Sequence, residues 1–281
     1  MLSCGRCERP MCVDCAVETP VGMRCRECAG LPTGARAIVS RMAPRRANIV
    51  TMALIVVNIV MFVLQEITRT RVVGGGGGLS GGVTQWGWIY GPSVDDGEWY
   101  RIVTGAFLHG SILHIVLNMF VLWQLGTVLE MSIGSARFGL VYLVALVWGS
   151  AGALIASPLT PTVGASGGVF GLFSALLILQ WRIQGSVSGD LGMWLLLNLV
   201  ITFTVPGISA GGHIGGLLGG AAAVVVLMAV GRGLRSPRVS GAAVIALLGL
   251  VVLGFAVGIA AASSGGFGVA SLPTGLSAVL G

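Results

Sequence analysis

The sequence predicts an all-α polytopic membrane protein preceded by a small cysteine-rich module. Of its 281 residues 55% are hydrophobic and 9% charged, which leaves too little polar surface to cover a soluble globule of this size. The apolar residues gather into seven stretches, each near the length that crosses roughly 30 Å of hydrocarbon at about 1.5 Å per helical residue. All six cysteines precede them, within the first thirty residues.

Residues 1–30 carry three pairs, Cys4-x-x-Cys7, Cys12-x-x-Cys15 and Cys25-x-x-Cys28. In a reducing cytoplasm such pairs read as zinc thiolates rather than disulfides. Four thiolates complete one tetrahedral site, and in a cross-braced arrangement alternate pairs share a metal. Cys4, Cys7, Cys25 and Cys28 then form a complete set, leaving Cys12 and Cys15 without partners. The metal is expected to be structural, because no open coordination position with a nearby base is visible.

Residues 31–48 form a basic linker with Arg36, Arg41, Arg45 and Arg46. The cysteine-rich start is no secretory signal, so the first apolar segment is expected to act as a signal anchor. The spans are expected near 49–66, 111–129, 138–157, 165–182, 191–206, 211–230 and 241–262, the fifth shortened by Pro206 and Gly207. All sixteen basic residues are arginines, and they flank apolar stretches instead of clustering in a polar domain. That pattern excludes nucleic acid as a partner and reads as a topology signal. With a cytoplasmic N-terminus, Arg137, Arg182, Arg232, Arg235 and Arg238 fall in inner loops, and only Arg69, Arg71 and Arg101 lie outside. The expectation is a multi-pass cell-membrane protein with a cytoplasmic N-terminus and an external C-terminus.

Between the first two spans lies a long outer loop containing the run Gly74 to Gly78. Its second half holds Trp86, Trp88, Tyr90 and Trp99, amphipathic rings that favour the headgroup layer. His109, at the end of this loop, is expected at the interface in contact with water, outside the chemistry.

Polar residues inside spans are expensive and therefore informative. His114 and Asn118 lie near the start of the second span, Ser166 opens the fourth and His213 opens the sixth. These spans run in the same direction, so the four residues share one depth beneath the outer surface. A serine hydroxyl needs a base within hydrogen-bond reach to become a nucleophile, and His213 is the candidate. No carboxylate occurs at that depth, which points to a dyad instead of a triad. His114 and Asn118, spaced i, i+4, share a helix face and offer donors to a developing oxyanion, and the Ser166 backbone N–H at a helix start is a third. Gly167 and Gly171 on one span, with Gly216 and Gly220 on the other, give small-residue faces that let the two helices approach.

These residues resemble the rhomboid family over about 45–231. Phe107-Leu108-His109-Gly110-Ser111-Ile112-Leu113-His114-Ile115-Val116-Leu117-Asn118 resembles the second-helix motif ending in H-x-x-x-N. Gly164-Ala165-Ser166-Gly167 matches the G-x-S-G nucleophile motif, and Gly212-His213-Ile214-Gly215-Gly216 resembles the sixth-helix histidine motif. The resemblance implies a six-helix protease core over 49–231, with an additional helix and external tail in 232–281. It implies Ser166 as nucleophile, His213 as general base and acid, and His114, Asn118 and the Ser166 N–H as oxyanion donors. It implies no cofactor for catalysis, and it implies transmembrane proteins in the bilayer as substrates. Arg101 and Glu130 resemble structural positions. Phe170 departs from the tyrosine several rhomboids carry there, and it keeps the ring that stacks on His213 while lacking the hydroxyl. The cysteine module resembles a B-box-type zinc module without its first ligand pair, and a natural start upstream of Met1 is the expectation that would account for the missing pair.

Two other classes compete. A catalytically silent rhomboid-like protein would bind or escort transmembrane clients, but would have no need of the serine and both histidines. A transporter would tend to place ionisable residues along a midplane pore, whereas here the polar residues stop near one end of the spans.

Overall fold

The computed structural model describes residues 2–5, 7–8, 10–11, 16–19, 22–25, 28, 48–68, 81–187, 189–230 and 239–264. Cys12 and Cys15, most of the basic linker, the Gly74 to Gly78 run, Arg69, Arg71, Arg232, Arg235, Arg238 and the expected external tail from 265 lie outside the described residues. The chain divides into two compact units, residues 1–46 and 47–281.

In the first unit β1 (Leu2–Ser3) pairs antiparallel with β2 (Pro10–Met11), and β3 (Ala16–Thr19) pairs with β4 (Gly22–Cys25). The second hairpin runs in register from Ala16 opposite Cys25 to Thr19 opposite Gly22. Cys4, Cys28 and the half-buried Ala16, Met23 and Cys25 make its small core.

The second unit is helical. Its long helices are α1 (Ile49–Thr68), α5 (Ile112–Ile133), α6 (Ser135–Ala156), α7 (Ser166–Gln184), α8 (Gly189–Thr204), α9 (Ala210–Val230) and α10 (Gly241–Ser263). Six of them are long and apolar enough to cross a membrane, and α8, with 16 residues, is shorter. Between α1 and α5 the loop folds into α2 (Gly82–Gly87), α3 (Gly91–Asp95), α4 (Arg101–Thr104) and a 3₁₀ turn at Gly105–Phe107.

The helix ends follow local chemistry. Ser111 caps α5 by accepting the His114 N–H, and Ser240 caps α10 by accepting the Ala243 N–H. Gly134 and Gly185 close α5 and α7 at positive φ. The α8 helix stops at Thr204, two residues short of the expected boundary, because the residue before Pro206 is driven out of the helical region. The α1 helix is capped from outside itself: the Glu130 carboxylate accepts the Val50 and Thr51 N–H groups at 2.9 and 2.8 Å and the Thr51 hydroxyl at 2.7 Å. Glu130 lies in the last turn of α5, so one buried carboxyl side chain satisfies a helix N-terminus and ties two helices together.

The centre of the unit is α6, which packs on α7, α9 and α10, with 67% of its apolar window buried in protein against 17% for α1. Ile59, Val60, Val63 and Ile67 of α1 instead face outward, as they do when the surrounding solvent is hydrocarbon. Trp148 of α6 donates its indole N–H to the Leu250 carbonyl at 3.0 Å and fastens α10. Ser174 of α7 donates to the Leu217 carbonyl of α9 at 2.7 Å.

Candidate active site

The Ser166 hydroxyl opens α7 and the His213 ring stands one turn into α9. Their facing atoms, Oγ and Nε2, are 2.8 Å apart. Ser209 fixes the start of α9 by accepting the Gly212 N–H at 3.1 Å. Phe170, one turn beyond Ser166, lies flat on the His213 ring at 3.9 Å between centroids and 16° between planes. Stacking and two ring hydrogen bonds leave the imidazole one orientation. Nδ1 lies 2.6 Å from the Thr202 hydroxyl of α8.

The loop that delivers Ser166 is clamped to the loop between α1 and α5. Ile89 and Thr162 exchange backbone hydrogen bonds at 2.9 Å, Gly91 donates to the Pro158 carbonyl, and Gly164 donates to the Gly105 carbonyl. Arg101 stiffens the other side: its guanidinium donates to the Gln85 and Trp88 carbonyls and pairs with Glu98 at 2.6 Å. That pairing holds the Glu98 carboxyl below its ordinary range.

His114 reaches the site from α5. Its Nδ1 accepts the Gly110 N–H at 3.3 Å, so the neutral ring carries its proton on Nε2. A methyl group built on Gly164 would lie 2.9 Å from this Nε2 and 3.7 Å from Ser166 Oγ. Both groups therefore border one small space, which the missing side chain of Gly164 leaves open. Gly164 also has φ +135°, a conformation other residues rarely adopt. Asn118 lines the same cavity, but one of its two amide hydrogens is committed to the His114 carbonyl at 2.9 Å. The cavity measures about 760 Å³, and no aspartate, glutamate, lysine or arginine is among the described side chains lining it.

The structure thus brings Ser166, His213 and His114 together, with Asn118 on the same wall. His109 departs from the expectation of a solvated interface residue. It is 1% exposed, with its ring edge-on to His114 at 5.0 Å. Gln65 of α1 holds it there, accepting its N–H at 2.9 Å and donating to its carbonyl at 3.2 Å. Burial above all, then the neighbouring His114, pushes the His109 imidazole down to about 3, with the Phe107 backbone acting weakly the other way. Sequence reasoning also missed Thr202 and the space above Gly164. The spacing of Asn198 and Thr202, i and i+4 in an apolar helix, was the available signal for the first.

In the N-terminal unit the sulfurs of Cys4, Cys7, Cys25 and Cys28 all lie within 4.8 Å of one another. Cys7 and Cys25 are 3.9 Å apart, and the Cys25 N–H points at the Cys4 sulfur at 3.3 Å. Tetrahedral zinc with bonds of about 2.3 Å separates its sulfurs by roughly 3.8 Å, so this donor set fits a metal ion with little movement.

A family model described as the Rhomboid domain matches residues 96–230, the stretch that holds His114, Asn118, Ser166, Thr202 and His213. The rhomboid protease GluP of Bacillus subtilis is 35% identical over 181 residues, covering 63% of this chain and 34% of GluP. YdcA of the same species, whose own naming as a rhomboid protease is provisional, is 33% identical over 136 residues, 47% of this chain and 68% of YdcA. RHOMBOID-like protein 5 of Arabidopsis thaliana is 35% identical over 139 residues, 45% of this chain and 43% of that protein. The chain therefore spans about a third of GluP and under half of the Arabidopsis protein.

Proposed function

This chain belongs to the rhomboid family, and from that premise we propose that it is an intramembrane serine endopeptidase that hydrolyses peptide bonds in or near transmembrane segments through a Ser166–His213 dyad. The observation that carries the reading is the 2.8 Å separation of Ser166 Oγ and His213 Nε2. His213 takes the hydroxyl proton as Oγ attacks the scissile carbonyl, and the serine oxygen forms a bond to the carbonyl carbon. The carbonyl oxygen, now anionic, moves into the space above Gly164. There the His114 Nε2–H, the Ser166 backbone N–H and the uncommitted Asn118 amide hydrogen are its donors, each such donor contributing about 2.7–4 kcal/mol. The His213 imidazolium then returns its proton to the leaving amine, giving the acyl-enzyme. Water, deprotonated by the same ring, hydrolyses the ester and restores Ser166.

The substrates are transmembrane proteins, since the cavity opens among helices whose outer faces are apolar. The asymmetric arginines support a cytoplasmic N-terminus in the cell membrane. Cys4, Cys7, Cys25 and Cys28 would hold a structural zinc, their thiolates coming from both hairpins, and the metal would take no part in hydrolysis.

Cleavage of a single-span reporter in proteoliposomes tests the reading. The wild-type protein is expected to produce two fragments and Ser166→Ala none; equal cleavage by both removes Ser166 as the nucleophile.

A further inference from the structure

Thr202 is the buried residue of α8, 3% exposed, while the other fifteen residues of that helix are half-buried or exposed. Its hydroxyl oxygen lies between two partners, 2.6 Å from His213 Nδ1 and 2.7 Å from the Asn198 carbonyl oxygen. A hydroxyl has one hydrogen to donate, and a carbonyl only accepts. Two arrangements exist. If the hydrogen points at Asn198, the threonine oxygen accepts from His213, so the imidazole proton sits on Nδ1. The lone pair on Nε2 then faces the Ser166 hydroxyl. If the hydrogen points at His213 instead, two lone-pair-bearing oxygens face each other at 2.7 Å with no proton between them. The imidazole proton then sits on Nε2, where it cannot accept from serine. The Asn198 carbonyl breaks the tie in favour of the first.

We propose that Thr202 is the positioning residue of the site: by donating its hydroxyl hydrogen bond to the Asn198 carbonyl it holds His213 in the Nδ1–H tautomer and stabilises the imidazolium that forms during attack. The inference rests on the dyad reading above and extends it. The described lining of the cavity supplies no carboxylate for this task, so a neutral hydroxyl polarised by a helix carbonyl takes it. The choice of a hydroxyl suits the setting, because a charge there would bear a heavy desolvation penalty. Asn198 contributes through its backbone carbonyl, while its side-chain amide donates to the Trp194 carbonyl at 2.8 Å.

The chain has three histidines, which makes ¹⁵N spectroscopy of the full-length protein tractable, with His213 assigned by its loss in His213→Ala. The wild-type spectrum is expected to show His213 protonated on Nδ1 and bare on Nε2; the opposite tautomer overturns the proposal without any variant of Thr202. In reporter cleavage, Thr202→Val keeps the shape and strands the Nδ1–H, so kcat is expected to fall about 10- to 100-fold with KM within about twofold. Thr202→Ser restores the hydroxyl and is expected to return kcat to within about threefold of wild type. A valine variant at wild-type rate, or a serine variant as slow as valine, assigns Thr202 to packing and overturns the proposal. Ser166→Ala run alongside separates the two readings. If it is inactive while Thr202→Val is fully active, only the Thr202 role fails, whereas an active Ser166→Ala removes the dyad itself.

Discussion

A methyl group on Gly216 of α9 would lie 2.7 Å from the carbonyl carbon of Gly167 of α7. The backbones of the two helices touch there, directly beside Ser166 on one side and one turn from His213 on the other. Gly220 repeats the contact a turn further on, where a methyl would lie 2.6 Å from the Gly171 carbonyl carbon. In lipid, where apolar surfaces gain nothing by leaving the solvent, such backbone contact is what holds helices together. Here it also sets the distance between Ser166 and His213.

Gly216→Ala is accordingly expected to push α9 from α7. Overpacking of this kind destabilises by about 1–3 kcal/mol, and a displacement near 1 Å at the dyad costs roughly 100-fold in rate. Cleavage assays and thermal unfolding in one detergent check both numbers. Wild-type activity with an unchanged melting temperature would contradict the packing described here.

Gly164→Ala places a methyl in the space between His114 Nε2 and Ser166 Oγ and forces φ near +135° on a residue that resists it. The Ser166 hydroxyl and the His213 ring are left untouched. The expected result is a loss of about 100- to 1,000-fold in kcat, the range associated with losing one oxyanion donor. Labelling of Ser166 by a small alkylating probe that forms no oxyanion should persist.

Because burial holds His109 neutral down to about pH 3, its contribution to stability is complete above about 6.5 and is lost progressively as the pH falls below that. The unfolded chain binds a proton there that the fold refuses, with a slope of up to about 1.4 kcal/mol per pH unit. His109→Phe removes the titrating group and keeps a ring against His114. Melting temperatures between pH 7.5 and pH 4.5 are expected to fall more steeply for wild type than for the variant, and parallel curves would count against the buried placement.

The four clustered thiols are expected to bind one zinc per chain, released by a mercurial reagent into a colorimetric chelator. Cobalt substitution should give the spectrum of a tetrahedral tetrathiolate, and Cys4→Ser or Cys28→Ser should abolish it. Protein purified without zinc, and unable to take up cobalt, would refute the site.

Much of this architecture was legible beforehand because lipid imposes simple rules. An apolar run has to become a helix, so the second span, expected over 111–129, appears as Ile112–Ile133. A polar residue in such a run has to have a purpose, which singled out Ser166, His213 and His114. The Gly167, Gly171, Gly216 and Gly220 faces meet as their spacing suggested. What escaped depends on how helices rotate about their axes and how loops fold back. The burial of His109 needs Gln65, 44 residues earlier, to seize its backbone. The turn of the Asn118 amide toward its own helix, and the arrival of Thr202 from α8 at His213, are not set by spacing along either segment.

The proposed proton transfer between Ser166 and His213 is tested most directly by covalent labelling with a fluorophosphonate, followed by peptide mapping. The label is expected on Ser166 of the wild-type protein, absent from Ser166→Ala and reduced at least 100-fold in rate in His213→Ala. A label elsewhere, or undiminished labelling without the imidazole, would contradict the account.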